Sequence, residues 1–197
     1  MRITVFGATG AVGREVVTEA TTRGHDVRAA SRASGVDATN VADVVRVSAG
    51  QDLVISATRP HPGHEAELAA VTRALLAGLR GSGTRLLLVG GAATLRRADG
   101  VLVQDAPDFP LTLRPIANAC ADQLAVCRTE SEVDWVYLSP PMLLETGPRT
   151  GRYRLGADDL ITDEHGESRI SNADLAVVLL DEAERPRHRR TRFTVGY

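Results

Sequence analysis

Three glycines near the amino terminus follow an apolar run and are spaced three residues apart. Residues 2–6 read Arg-Ile-Thr-Val-Phe, and Gly7, Gly10 and Gly13 come directly after them, where a helical pattern begins. Gly7 permits a tight turn, Gly10 lets the backbone approach a pyrophosphate, and Gly13 lets the helix pack on the strand. The alternative is a glycine-rich turn without a ligand, which the flanking strand and helix disfavour. We predict that a dinucleotide cofactor contacts this loop at Gly7, Thr9, Gly10, Ala11, Val12 and Gly13.

The end of the second predicted strand bears on which dinucleotide binds. An acidic residue at that point would hold a ribose 2′-hydroxyl, whereas an arginine suits a 2′-phosphate. The chain reads Ala29-Ala30-Ser31-Arg32 here and offers no carboxylate. NADP(H) is therefore favoured over NAD(H), with Ser31 and Arg32 as contacts of the 2′-phosphate. The alternative, that Arg32 is a solvated loop arginine, stays open.

Three later segments should meet the glycine loop at the same edge of the sheet. Ala57, Thr58 and Arg59 end one strand and should line the ribose side, where Arg59 could contact a phosphate, contact a substrate or lie on the surface. Small residues after the next strand leave room for the nicotinamide and its acceptor, and paired prolines after the following strand would close the pocket. The remaining predicted contacts are Gly91 and Pro140 for the cofactor, and Ala92, Thr94, Pro141, Met142 and Tyr153 for the substrate pocket.

The elements that must position these residues alternate between short β-branched runs and longer helical segments, as in a parallel sheet covered on both faces. Strands are predicted at residues 2–6, 26–30, 52–57, 85–89, 134–138 and 192–195, and helices at 12–23, 42–48, 64–79, 117–132 and 171–186. The short connection before residue 52 suggests a vestigial strand at 36–38 and a small sheet. Residues 147–170, which include Tyr153, look like a substrate-side excursion, with a hairpin as one possible form. Ser171 and Asp174 have the spacing of a helix cap.

Composition limits the class of protein. A chain of 197 residues with 43% hydrophobic and 24% charged residues fits one domain, so we expect a single α/β, doubly wound Rossmann-type domain over 1–197. The net charge of -2 gives no reason to expect a nucleic acid partner. No apolar stretch approaches the roughly 20 residues of a membrane span, and no signal-like start is present, which favours the cytoplasm.

Two further residue types narrow the chemistry. Cys120 and Cys127 are two helical turns apart, too far for a disulfide, so we expect reduced packing residues. The five histidines show no spacing of a metal site. All 23 basic residues are arginines, so no mechanism can use a lysine.

Five segments together make the chain resemble the atypical short-chain dehydrogenase/reductases, and within them the NAD(P)H-flavin reductase group related to biliverdin reductase B. They are GATGAVG from Gly7, VGGAATL from Val89, DWVYLSPP from Asp134, GPRTGRYRLG from Gly147 and SRISNADLA from Ser168. The resemblance covers nearly the whole chain. It implies NADPH binding and an acceptor such as flavin, as the substrate, stacked over the nicotinamide.

The chain lacks the proton-donating residues of the families that it resembles. Most short-chain dehydrogenases use a tyrosine four residues before a lysine, and this chain has no lysine and no tyrosine between Leu113 and Asp122. Ala92 and Met142 stand where biliverdin reductase B has a serine and a histidine, which makes bilin reduction doubtful. We expect an NADPH-dependent reductase of a flavin or similar conjugated small molecule. A non-enzymatic NADP(H) sensor is the alternative, and the oligomeric state is open.

Overall fold

The computed structural model describes residues 1–197, the whole chain. Nine strands and five helices follow one another along it. The strands are β1 (Arg2–Phe6), β2 (Asp26–Ala30), β3 (Leu53–Ser56), β4 (Arg85–Val89), β5 (Trp135–Ser139), β6 (Leu143–Glu145), β7 (Arg154–Gly156), β8 (Arg169–Ser171) and β9 (Thr191–Gly196). The helices are α1 (Ala11–Thr22), α2 (Val41–Ser48), α3 (Glu67–Leu79), α4 (Arg114–Arg128) and α5 (Asn172–Glu184).

Seven of the strands form one sheet in the order β2-β1-β3-β4-β5-β9-β7, parallel except for β7 at the edge. Successive side chains of a strand point to opposite faces, so each strand contributes to two cores. On β4, Leu87 packs with residues of α1 and α5, whereas Leu86 and Leu88 pack with residues of α2, α3 and α4. Helices therefore cover both faces, and the expected doubly wound Rossmann-type fold is confirmed.

The vestigial strand expected at residues 36–38 does not form, and the sheet is not small. A 3₁₀ turn, Arg32–Ser34, follows β2 instead and ends at Gly35 in the left-handed region, with φ +72°. The Val36 amide donates to the Ser31 carbonyl over 3.1 Å, which folds the chain back towards the end of β2. Val36 is buried against the core, so its apolar character reflects packing and not a strand.

The excursion at 147–170 is not a separate hairpin. Its strand β7 pairs antiparallel with β9 at the sheet edge, and β6, just before it, pairs in parallel with β8. The buried carboxylate of Asp174 fastens its start, because Oδ1 accepts the amides of Thr150 and Gly151 over 2.8 and 2.7 Å. The predicted cap of α5 is confirmed, since the Ser171 hydroxyl accepts the Asp174 amide over 3.0 Å.

Candidate functional site

A cleft of about 510 Å³ opens where β1, β2 and β3 end. Because parallel strands all finish at one edge, the segments that follow them converge there. The cleft is lined by residues 6, 7, 9–12, 30–32, 36–39, 57–61, 67, 68, 71, 144 and 172. It thus lies at the predicted glycine loop.

The three glycines of the loop have different structural roles. Gly7 adopts φ +76°, and a Cβ there would lie 2.5 Å from the Ala57 carbonyl oxygen. A Cβ on Gly13 would lie 2.0 Å from the Gly7 carbonyl oxygen, so the start of α1 can approach β1 only without a side chain. At Gly10 the nearest atom to a Cβ would be the Gly7 oxygen at 3.3 Å. Gly7 and Gly13 therefore serve the fold, and Gly10 leaves space at the cleft.

The amino end of α1 supplies hydrogen-bond donors to this cleft. Gly10 is its N-cap residue and offers no side chain to the free amides of the first turn. Ala11 and Val12, in that turn, line the cleft. Exposed backbone N–H groups at a helix amino end attract anions, and the macrodipole adds to the attraction. This arrangement fits a pyrophosphate.

Ser31, Arg32 and His61 line the cleft beyond the ends of β2 and β3. The Arg32 guanidinium donates from Nη2 to His61 Nε2 over 2.8 Å. Arg32 takes part in none of the ion pairs that other arginines of the chain make with carboxylates, so its charge is available to a ligand. This part of the cleft suits a phosphate.

Asp37 lines the same part of the cleft, although the sequence shows no carboxylate at the end of β2. The hydroxyl and the backbone amide of Thr39 donate to its Oδ1 over 2.7 and 2.8 Å. These bonds, with a contribution from the charge of Arg32, hold the pKa of Asp37 below its usual range. The turn Arg32–Ser34 brings this anion back to the cleft, which the spacing of residues along the chain does not reveal.

Arg59 lies on the side of the cleft that approaches α4. Its charge reaches Cys120 of α4, whose pKa burial raises to about 11 while the nearby guanidinium opposes the rise. Both Cys120 and Cys127 are buried free thiols, as expected. Arg59 itself is exposed and lines the cleft with Ala57 and Thr58, so it can meet an anionic ligand there.

A family model described as NAD(P)H-binding matches residues 7–186 of the chain. The protein belongs to this NAD(P)H-binding family. The uncharacterised protein YwnB of Bacillus subtilis (strain 168) is 38% identical over 208 residues, which cover 99% of this chain and 98% of YwnB.

Two solved structures are similar to this chain over its whole length. A Streptococcus pneumoniae TIGR4 protein, provisionally named an NADH-flavin reductase, is 32% identical with a TM-score of 0.89 over 100% of this chain and 99% of that one. A Bacteroides thetaiotaomicron protein, provisionally named an epimerase, is 36% identical with a TM-score of 0.91 over 100% and 96% of the two chains. The resemblance that the sequence indicates is thus confirmed at the level of the NAD(P)H-binding family.

The cleft brings together ten of the predicted site residues. They are Gly7, Thr9, Gly10, Ala11, Val12, Ser31, Arg32, Ala57, Thr58 and Arg59. The others lie outside its lining: Gly13, Gly91, Ala92, Thr94, Pro140, Pro141, Met142 and Tyr153.

The residues after β4 and β5 are largely engaged with the protein itself. A Cβ on Gly91 would lie 2.8 Å from Cys120 Sγ, so α4 packs directly on this glycine. The hydroxyl and carbonyl oxygens of Thr94 accept from Arg192 Nη1 of β9 over 2.9 and 3.1 Å. Pro140 and Pro141 are buried, whereas Met142 is 57% exposed. These residues lie outside the lining of the cleft, and their predicted contacts with the nicotinamide and the acceptor stay predictions.

Tyr153 does not line the cleft, in contrast to its predicted place in the substrate pocket. It immediately precedes β7, and the antiparallel pairing with β9 carries it to the opposite end of the sheet from β1, β2 and β3. Its hydroxyl donates to Asp181 of α5. Burial and this bond raise the pKa of Tyr153 to about 12.

Sequence reasoning missed Leu144 and Asn172, which line the cleft beside the glycine loop. Asn172 is the first residue of α5 and is only 8% exposed, yet its amide group makes no hydrogen bond within the protein. Helices α1 and α5 pack together, so the amino end of α5 comes close to the amino end of α1. The predicted start of α5 at Ser171 was the available signal, but the packing of α1 on α5 is a tertiary feature.

None of the three tyrosines lines the cleft. Their hydroxyls donate elsewhere, Tyr137 to the Cys120 carbonyl over 3.0 Å and Tyr197 to Asp174 over 2.7 Å, besides the Tyr153 bond already described.

No helix of the protein is both long and apolar enough to cross a lipid bilayer.

Proposed function

We propose that this protein is an NADPH-dependent reductase that transfers a hydride to a flavin or a similar conjugated acceptor without a tyrosine–lysine acid. The observation that carries the proposal is the composition of the cleft. It offers backbone amides and arginines for phosphates, and neither a tyrosine nor a lysine for a carbonyl oxygen. Protonation of an alkoxide needs such a positioned acid, whereas a conjugated ring spreads the added charge itself.

NADPH supplies the hydride when it is bound, and the chain contributes binding and orientation. The first amides of α1 would hold the pyrophosphate, with Gly10 leaving the backbone accessible. Ser31 and Arg32 would hold the 2′-phosphate. Arg59 and Asn172 face the cleft from two other sides, where they can orient the cofactor or the acceptor.

The preference for NADPH depends on the balance between Arg32 and Asp37. A carboxylate can accept hydrogen bonds from an unphosphorylated ribose, and the relative from Streptococcus pneumoniae carries NADH in its name. Asp37 Oδ1, however, already accepts two hydrogen bonds from Thr39, while no carboxylate pairs with Arg32. We therefore favour NADPH.

We also propose that the protein acts in the cytoplasm on a small-molecule acceptor, without nucleic acid or membrane partners. The net charge of -2 and the two buried free thiols support this proposal.

A non-enzymatic NADP(H) sensor is the second candidate. The observation in its favour is the engagement of Gly91 with Cys120 and of Thr94 with Arg192, on the side where an acceptor is expected. In a sensor, the bound cofactor would change the interaction with another protein without a chemical step.

Steady-state oxidation of NADPH tests the two candidates. FMN, FAD, riboflavin and quinones are offered as acceptors, with aldehydes and ketones for comparison. We expect turnover of the conjugated acceptors and little of the carbonyl compounds. Efficient ketone reduction without flavin or quinone turnover would contradict the reductase proposal, and tight NADPH binding without any turnover would support the sensor. The Gly10→Val variant, which should not bind cofactor, serves as the control for trace flavin reductases.

A further inference from the structure

We propose that His61 positions the Arg32 side chain for the 2′-phosphate and is thereby a determinant of coenzyme preference. The inference rests on the NADP(H) assignment made above. His61 follows β3, whereas Arg32 follows β2.

The strand order brings these two residues together. β2 and β3 lie on either side of β1, so the segments that follow them are about 10 Å apart, with the glycine loop between them. The long Arg32 side chain spans this gap and reaches His61 Nε2 over 2.8 Å. Both residues line the cleft, so the contact lies at the cofactor site.

The chemistry of the contact fixes the role of each partner. A guanidinium has only N–H donors, so His61 Nε2 must accept and the ring proton is carried by Nδ1. One donor is used, and the other N–H groups of Arg32 are left for a phosphate. An exposed arginine otherwise loses side-chain entropy when a ligand orders it, and the histidine lowers that cost by holding the guanidinium beforehand.

The backbone presents His61 in a restricted conformation. The segment reads Arg59-Pro60-His61-Pro62, so a proline with fixed φ precedes the histidine and a second proline confines its own backbone to extended conformations. This restriction limits the positions that His61 can take relative to Arg32.

No carboxylate of the cleft lining forms an ion pair with Arg32 in the free protein, although the charges of Asp37 and Arg32 attract each other. Asp37 is engaged by Thr39, and Glu67, also in the cleft lining, accepts from His64 over 3.0 Å. The remaining cation of the lining, Arg59, would repel Arg32 rather than hold it. The imidazole is therefore the group that directs the guanidinium.

Isothermal titration calorimetry with 2′,5′-ADP and AMP isolates this role, because the two ligands differ only in the 2′-phosphate. The variants are His61→Ala, His61→Gln, Arg32→Ala and the double variant, with His165→Ala as the control, an exposed histidine outside the cleft lining. We expect His61→Ala to weaken 2′,5′-ADP binding by roughly tenfold while AMP changes less than about twofold. His61→Gln, whose amide oxygen can accept from Arg32, should restore most of the affinity.

The double variant separates a positioning role from a direct contact. If His61 acts through Arg32, its removal should have little further effect in the Arg32→Ala background. The inference is overturned if His61→Ala leaves 2′,5′-ADP binding unchanged, if it weakens AMP equally, or if its full effect persists without Arg32. A wild-type protein that does not distinguish the two ligands would overturn the NADP(H) assignment as well. The reductase activity is measured separately with flavins, so a protein without turnover can still confirm the role of His61.

Discussion

The glycines of the loop allow fold and binding to be separated at single residues. Gly10→Val places a branched side chain where a pyrophosphate must approach, in extended backbone with φ -74° and ψ 171° that valine adopts readily. We expect a folded protein whose NADPH affinity falls by more than about a hundredfold. Circular dichroism and fluorescence titration with NADPH measure the two properties.

Gly13→Ala is the matched comparison, because its methyl group would lie 2.0 Å from the Gly7 carbonyl oxygen. The backbone must shift to relieve that contact, so we expect a loss of stability of about 1 to 3 kcal/mol. Normal NADPH binding by Gly10→Val would show that the cofactor does not approach this loop.

Substitution of Asn172 tests whether this residue contributes to cofactor binding and not to stability. The residue is 8% exposed and its side-chain amide lacks a hydrogen-bond partner within the protein, so the folded state gains no internal hydrogen bond from it. Asn172→Ala should leave stability unchanged or raise it by up to about 0.5 kcal/mol, since alanine favours helices more than asparagine does. Cofactor affinity or turnover should fall by roughly five- to tenfold. Thermal unfolding and NADPH titration are compared, and a clear loss of stability with unchanged binding would assign Asn172 a structural role.

Residues that follow β2 and β3 could be predicted to line the cleft, whereas those brought in by tertiary folding could not. Ser31, Arg32 and Arg59 follow strands directly, and the parallel sheet fixes where they lie. Asp37 enters the cleft because a 3₁₀ turn reverses the chain, and Asn172 enters because α5 packs on α1. Neither event leaves a pattern of fixed spacing in the sequence.

At the scale of elements, the strands of the main parallel sheet were predictable and the three-residue strands were not. The buried strands β1, β3 and β4 lie within a residue of their expected bounds. β6, β7 and β8 have three residues each and are specified by their partners, so alternation of residue type cannot reveal them. The apolar Val36 suggested a strand but is buried by a turn, because burial alone does not distinguish the two.

Asp174 of α5 connects this helix to the excursion and to the end of the chain through hydrogen bonds. Its Oδ2 accepts from the Thr150 and Tyr197 hydroxyls over 2.6 and 2.7 Å, besides the two amides at Oδ1, and it is fully buried. Asp174→Asn replaces a fully used acceptor with a group that carries two donors. We expect a loss of about 2 to 4 kcal/mol in urea unfolding.

Tyr197→Phe removes only one of these bonds and should cost about 1 kcal/mol. If the two variants were equally stable, the shared network around Asp174 would not be what holds the excursion in place.

At the scale of the whole molecule, arginines of distant segments converge on buried carboxylates. Glu19 of α1 accepts from Arg149 of the excursion and from Arg23. Glu182 of α5 accepts from Arg85 of β4 and from His188 before β9. These pairs join elements that are far apart in sequence, so their loss should weaken the whole domain.

The ionisation of these carboxylates sets the expected response to acid. The Arg149 guanidinium lowers the pKa of Glu19. Burial raises the pKa of Glu182, but its hydrogen bonds from Arg85 and His188 lower it by more, so the pKa of Glu182 is also below its usual value. A carboxyl group with a lowered pKa in the folded state contributes stability that is complete above its unfolded pKa, near 4.5 for glutamate, and is lost as the pH falls through the folded value. We therefore expect the urea midpoint to be steady near neutral pH and to fall between about pH 5 and about pH 3.

Glu182→Gln tests which group is responsible, with the exposed Glu164→Gln as the control. The Glu182 variant should be less stable at neutral pH, because Arg85 and His188 lose their anionic partner. Its urea midpoint should then decline less between about pH 5 and about pH 3, since the titrating group is gone. Glu164→Gln should follow the wild-type profile throughout. An acid profile of Glu182→Gln parallel to that of the wild type would show that Glu182 does not contribute to the loss of stability in acid.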